Sequence, residues 1–194
     1  YMGIMGAMTT LGPSSSVILA GVILSFFDWR MMLLVFAGLA LICFLSAAFI
    51  LGNIALPQLC HLVPQGGMIL LPIYFFTLIG AYKYGWRVGL LTAVLSPVIN
   101  HLLFGMPAAS MLAPILVKST ILALIAGYVA HSVKKTSIAL LAIVVLTYQI
   151  IGGAFEWVWT GSLAAALQDF RLGIAGMALQ ILGGYAFINY LLRK

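Results

Sequence analysis

Only three carboxylates, Asp28, Glu156 and Asp169, occur in 194 residues, and positions 31–82 hold no Asp, Glu, Lys or Arg across 52 residues. A soluble domain carries about 25% charged residues. Here charged residues make up 6%, hydrophobic residues 64%, and the mean hydropathy is +1.22. A surface of that composition cannot be kept in water, so the chain is expected to be an integral membrane protein. The charge-free stretch has room for two helical spans at about 20 residues each. Its apolar runs are continuous rather than alternating, which argues against a β-barrel. The expected fold class is therefore all-α, a polytopic membrane helix bundle.

Other absences narrow the function. Cysteine occurs twice, Cys43 inside an apolar segment and Cys60 in an expected loop, so no structural disulfide is expected. No G-x-x-x-x-G-K-[ST] phosphate loop is present, so the chain supplies no ATPase of its own. Neither H-E-x-x-H nor a Cys pair is found, and the expected topology puts His61 and His101 on one side and His131 on the other, so no metal site or other cofactor is expected. G-x-S-x-G is missing and Glu156 has no second carboxylate nearby, so an enzyme is not expected. The net charge of +6 comes from nine basic residues scattered at helix ends. They read as topology determinants rather than as a nucleic-acid patch.

What is present is a series of hydrophobic segments, at 4–27, 31–56, 67–82, 86–104, 108–131, 137–159 and 172–192. Breaks fall at 28–30, 57–65, 83–87, 105–107, 132–136 and 160–171. Residues 31–194 would form a six-span core, and residues 1–30 an extra N-terminal hydrophobic segment interrupted by Gly12-Pro13-Ser14-Ser15-Ser16. Lys83 and Arg87, then Lys134 and Lys135, then Arg193 and Lys194 fall on alternate connections. By the positive-inside rule these are cytoplasmic, which gives a multi-pass protein of the plasma (inner) membrane with its C-terminus inside.

The polar residues inside the spans are the candidate site. An ionisable side chain at mid-membrane costs about 2.5–3.5 kcal/mol on insertion scales and usually faces a bundle interior or cavity. Lys118 lies ten residues into the 108–131 segment, about 15 Å deep at 1.5 Å per residue. It reads either as a substrate anchor or as half of a structural ion pair. Its best protein partner is Glu156. Gln149 and Glu156 are two helical turns apart on one face, beside Tyr148, while Gly152 and Gly153 leave room for a neighbouring helix or ligand. Trp157 and Trp159 read as membrane-interface aromatics. Ser96 and Asn100 share another face next to Pro97, and Asn100 can line a pocket or hydrogen-bond a neighbouring helix. Gln180 lies inside the last span, and the connection PQLCHLVPQGG carries His61 and Gln65 between two prolines and two glycines. Asp169 and Arg171 are expected to neutralise each other at the surface.

From about residue 46 onward the chain resembles the substrate-binding S components of energy-coupling factor (ECF) vitamin transporters. The residues that carry this are GNIALPQLCHLVPQGGMILLPIYFFTLIGAYKYGWRVGLLTAVLSPVINHLLFGMP, then YQIIGGAFEWVW and DFRLGIAGMALQILGGY, within about three quarters of the chain. The resemblance implies a six-helix subunit whose pocket opens outward beneath the loop joining the first two spans, which here bears His61 and Gln65. It also implies partners: a transmembrane T component carrying two ATPase subunits. The small-residue repeat that such proteins present to the T component has no clean counterpart among Ala37, Gly38 and Ala40. Residues 1–44 are similar instead to two spans of a major facilitator superfamily transporter, on IMGAMTTLGPSSSVILAGVILSFFDWRMMLLVFAGLALICF. The change of resemblance falls near 41–48. That family would place the 28–30 loop outside, whereas the charge count places it inside.

The expected function is a substrate-capture subunit of an ECF-type importer in the lipid bilayer, taking a vitamin-like small molecule from outside. Lys118, Asn100, Gln149, Glu156, Gln180, Tyr148, His61 and Gln65 are the expected substrate-binding residues. The alternatives are a fragment of a secondary transporter with Glu156 as proton carrier, and a structural membrane subunit held by Lys118 and Glu156.

Overall fold

The computed structural model describes residues 14–22, 24–25, 28–60, 62 and 66–191, without the side chains of residues 165, 169 and 191. About half of the extra N-terminal segment, residues 1–13 with 23, 26 and 27, falls outside the described residues, as do His61 and Gln65 and the Asp169 side chain. The chain divides into two compact units, Tyr1–Cys43 and Phe44–Lys194. Every described element is helical, and no strand occurs among the described residues. The all-α class is the observed one.

In the first unit, residues 14–22 are helical and a second helix begins at Trp29. Asp28 starts that helix: its Oδ1 accepts from the Trp29 N–H at 2.8 Å and its carbonyl from the Met31 N–H at 3.0 Å. No residue from 29 to 43 is buried.

The second unit holds the packed core. Helix α1 (Trp29–Cys60) enters it at Phe44 and buries one stripe, Ser46, Phe49, Ile50, Asn53, Pro57 and Cys60, spaced three, one, three, four and three apart, as one helical face requires. It continues through Pro57, where a break was expected, so Pro57 and Gln58 are helical rather than part of a loop. Next come α2 (Gly66–Leu70), a 3₁₀ turn (Pro72–Tyr74) and α3 (Phe75–Tyr84). These replace the single expected span at 67–82. Helices α4 (Trp86–Phe104), α5 (Ala109–Val133) and α6 (Ile138–Thr160) follow, within two residues of their expected limits.

The C-terminal segment is less regular than a single span. It runs as α7 (Leu163–Leu172), α8 (Ile174–Ala178), a π turn (Leu179–Gly183), α9 (Gly184–Ala186) and a second π turn (Phe187–Leu191). Ala166–Leu172 and Ile174–Tyr190 meet at 55° at the Gly173 break. By length and composition, five helices can cross a membrane, or six if this bent pair is one span. The protein has the form of a multi-pass helical membrane protein.

Glycines set the close contacts. A Cβ on Gly89 would overlap Ala81, one on Gly127 would strike the Trp86 backbone at 2.8 Å, and one on Gly176 the Leu70 carbonyl at 2.6 Å. Helix α4 thus packs on α3 and α5, and α2 on α8, while α3 also packs on α5 and α5 on α6. In lipid such close approach replaces the hydrophobic drive between helices. Gly66–Tyr84 is the most buried stretch, at 61% of its apolar window. The broken helix is the centre of the bundle.

Candidate functional site

The break in the central helix is the starting point. Leu71 sits in the left-handed region, φ 47° and ψ 46°, with no glycine to relieve it. Such a backbone costs about 1–2 kcal/mol for an L-residue, and Pro72 after it has no N–H to continue the helix. The first free donor of α3, the Phe76 N–H, is capped from another helix by Asn53 Oδ1 at 3.2 Å. The Asn53 amide also donates to Thr77 Oγ1 at 2.9 Å and Ser96 Oγ at 3.1 Å. Those hydroxyls donate in turn to the Ile73 and Thr92 carbonyls.

A second defect is mended in the same place. Pro57 lies inside α1 and cannot donate to the carbonyl four residues back. That carbonyl belongs to Asn53, and the Asn100 amide of α4 donates to it at 3.0 Å. Asn100 therefore bonds a neighbouring helix, one of its two expected roles. Its Oδ1, buried, has no hydrogen-bond partner among the described residues.

Beside this knot lies a cavity of about 500 Å³. Its walls come from Pro57 and Gln58 of α1, Gly67 and Met68 of α2, the Leu71–Tyr74 turn, the loop 105–108, and Met111, Pro114 and Ile115 of α5. Besides Gln58 and Tyr74, its polar lining residues are Asn100, Lys118 and Glu156, these three each 2% exposed or less. Met68 and Met106 are half exposed, so the polar groups form the floor and the methionines the mouth. His101 Nδ1–H donates to the Pro107 carbonyl at 2.7 Å and holds the loop at that mouth.

Lys118 meets Glu156. Nζ and Oε2 are 2.5 Å apart, a buried ion pair. The path of the lysine explains Gly152. A Cβ there would overlap Lys118 Cγ, so the stem leaves α5 across Gly152. It ends at Glu156, four residues further along α6, about 6 Å nearer the mouth. A methyl group at 152 would block this path. Gly153 faces open space.

The other expected residues take different places. Gln149 is buried on the face that also carries Gly152 and Glu156, but it is not on the cavity wall. Tyr148 and Gln180 stand behind the wall: Tyr148 Oη donates to Gln180 Oε1 at 3.0 Å, and the Tyr148 ring lies 5.4 Å from that of Tyr74, which lines the cavity. Gln180 belongs to the π turn, and such irregular turns recur at functional sites. Trp157 and Trp159 are exposed. Among the described residues, no cluster of three or more His, Cys, Asp or Glu could hold a metal. Both cysteines are free thiols.

Asn53 was not among the expected site residues. It is the only polar side chain for several residues either side, but its open carbonyl follows only once Pro57 is helical, and the sequence placed Pro57 in a break.

No family model, curated protein or solved structure matches the chain. The fold and the cavity therefore define its class: an all-α bundle of membrane-crossing length around a cavity floored by a buried ion pair.

Proposed function

We propose that this chain is the substrate-capture subunit of an ECF-type importer, binding a vitamin-like small molecule in the cavity over Lys118 and Glu156 and passing it to a T component with two ATPases. One observation carries the reading: the buried Lys118–Glu156 pair, each residue 2% exposed or less, is among the residues that line a cavity between the helices. The volume of about 500 Å³ is in the range of small-molecule sites, which are mainly apolar with a few placed polar groups. The basic loops at the opposite end of α4, α5 and α6 support reading the mouth as the outer face, by the positive-inside rule.

The pairing also limits the ligand. Lys118 and Glu156 already neutralise one another, so the part of the ligand on the floor is net neutral, either uncharged or zwitterionic. Asn100 Oδ1 calls for an N–H or O–H donor. The thioethers of Met68, Met106 and Met111 at the mouth suit a planar ring, since sulfur–aromatic contacts are favourable.

Native mass spectrometry of the purified protein tests this. A retained molecule of a few hundred daltons is expected, lost in Asn100→Leu and in the double variant Lys118→Met/Glu156→Gln, each still folded by thermal melt. Co-expression with a T component and its ATPases should then give ATP-dependent uptake of that molecule. The direct contact between the two side chains also suits one rival, a structural strut. That reading stands instead if folded double variant and native protein retain the same molecule, or neither retains one.

A further inference from the structure

The end of the bundle away from that cavity carries a second concavity, of about 640 Å³, formed by the α3–α4 turn and the last turns of α5. Its lining includes Tyr82, Lys83, Trp86, Leu124, Tyr128 and His131. Gly85, at φ 96°, makes the single-residue turn between α3 and α4, so Lys83 and Arg87 flank it closely. The Arg87 guanidinium lies 5.5 Å over the Trp86 ring. From the other side, Tyr82 Oη donates to the Lys135 carbonyl at 2.7 Å. That bond draws the α5–α6 loop, with exposed Lys134 and Lys135, to the same rim.

Lys83 and His131 line the groove, Arg87 lies next to the lining residue Trp86, Lys134 and Lys135 sit in the loop that Tyr82 holds, and no carboxylate occurs anywhere from residue 29 to residue 155. Helices α3, α4 and α5 all fall within that interval, so they bring no counter-charge of their own. Lower down, Leu124, the Trp86 ring and the largely exposed Tyr128 ring give the groove an apolar wall. A positive rim above an apolar wall, at the end of helices of membrane-crossing length, has the chemistry of a phospholipid: a phosphate for the cations and an acyl chain for the wall. A soluble phosphate would use only the first. Tyr128 and Trp86 add hydroxyl and indole donors at the level where interfacial aromatics sit.

We propose that the groove between the α3–α4 turn and the C-terminal end of α5 binds the phosphate headgroup of an anionic membrane lipid, held by Lys83, Arg87 and Lys135. The site is separate from the small-molecule cavity and does not depend on what that cavity binds.

The test uses the full chain in vesicles of phosphatidylcholine with about a quarter phosphatidylglycerol, which supplies an anionic surface, with Trp29, Trp157 and Trp159 replaced by phenylalanine so that Trp86 is the only tryptophan, excited apart from the tyrosines. Brominated phosphatidylglycerol should quench Trp86 more strongly than the same amount of brominated phosphatidylcholine. A Trp157-only version, at the other end of α6, should show no such preference. Replacing Lys83, Arg87 and Lys135 by glutamine should weaken the preference by about fivefold per cation. Raising salt should weaken it in the unsubstituted protein, a readout that stands even if the triple variant does not fold. Equal quenching by the two lipids overturns the proposal, as does a preference indifferent to salt. Displacement by millimolar glycerol phosphate would also overturn it, by showing a site for free anions rather than lipid.

Discussion

Two buried polar clusters lie side by side in the second unit, and they solve different problems. The knot of Asn53, Thr77, Ser96 and Asn100 is neutral and its bonds run largely to backbone: it caps the Phe76 N–H beyond the break at Leu71 and fills the Asn53 carbonyl that Pro57 leaves open. The pair of Lys118 and Glu156 joins α5 and α6 one turn beyond Pro114, whose missing donor leaves open the Ser110 carbonyl, two turns from Lys118 and not met by the pair. With no defect to mend there, burying two charges has no evident use for folding alone. Replacing a buried ion pair with apolar groups is often neutral or stabilising. The neutral knot thus reads as repair of the backbone. The charged pair, on a cavity floor, reads as equipment for a ligand. Asn100 belongs to both: its amide nitrogen is spent on repair, its buried oxygen has no partner among the described residues, and the residue lines the cavity.

The sharpest way to break this contrast is to remove one charge. Glu156→Gln leaves Lys118 facing an amide in a buried site, and loss of one partner from such a pair costs about 3–5 kcal/mol. A large fall in the detergent melting temperature is expected. The double variant Lys118→Met/Glu156→Gln should recover most of it, since no charge is then stranded. If the double variant melts as low as Glu156→Gln, the pair is structural after all and the contrast collapses.

A smaller effect tests the route of the lysine. Gly152→Ala puts a methyl group on Lys118 Cγ, and such overpacking costs about 1–3 kcal/mol. Gly153→Ala, facing open space, should melt within about 0.5 kcal/mol of the native protein, as surface changes usually do. Equal melting of the two variants would mean that the stem does not pass Gly152. Ligand retention should follow the same order, because a displaced lysine also moves the cavity floor.

How much of this was open to reading from the chain differs between the clusters. Lys118 and Glu156 could be matched because α6 carries a single carboxylate and a lone cation in lipid needs a partner. The limits of α4, α5 and α6 followed from charges and glycines at their ends. The neutral knot was half hidden. Ser96 and Asn100 show on α4 by spacing, but Asn53 and Thr77 become partners only through the course of α1 and the break at Leu71, which no local pattern gives. Nothing in the apolar run MILLPIYFF distinguishes a helix that breaks at Leu71 from one that bends through Pro72. The irregular C-terminal segment was invisible for a similar reason: Gly173, Gly183 and Gly184 permit a bend without setting its angle.

The finest test asks whether Asn100 truly mends the defect made by Pro57. Pro57→Ala restores the N–H that α1 lacks and lets the Asn53 carbonyl bond within its own helix. In that background the Asn100 amide has less to supply. Asn100→Leu should therefore cost about 0.6–1.7 kcal/mol in the native sequence, the range of interhelical hydrogen bonds in membranes, and clearly less in the Pro57→Ala protein. The bond from Asn100 to the Ser96 carbonyl at 2.9 Å is the same in both backgrounds and cancels in a double-mutant cycle. Unfolding of the four proteins in mixed micelles measures the difference. Strictly additive costs would mean that the carbonyl finds its donor elsewhere, and the neutral cluster would then need another reason to exist.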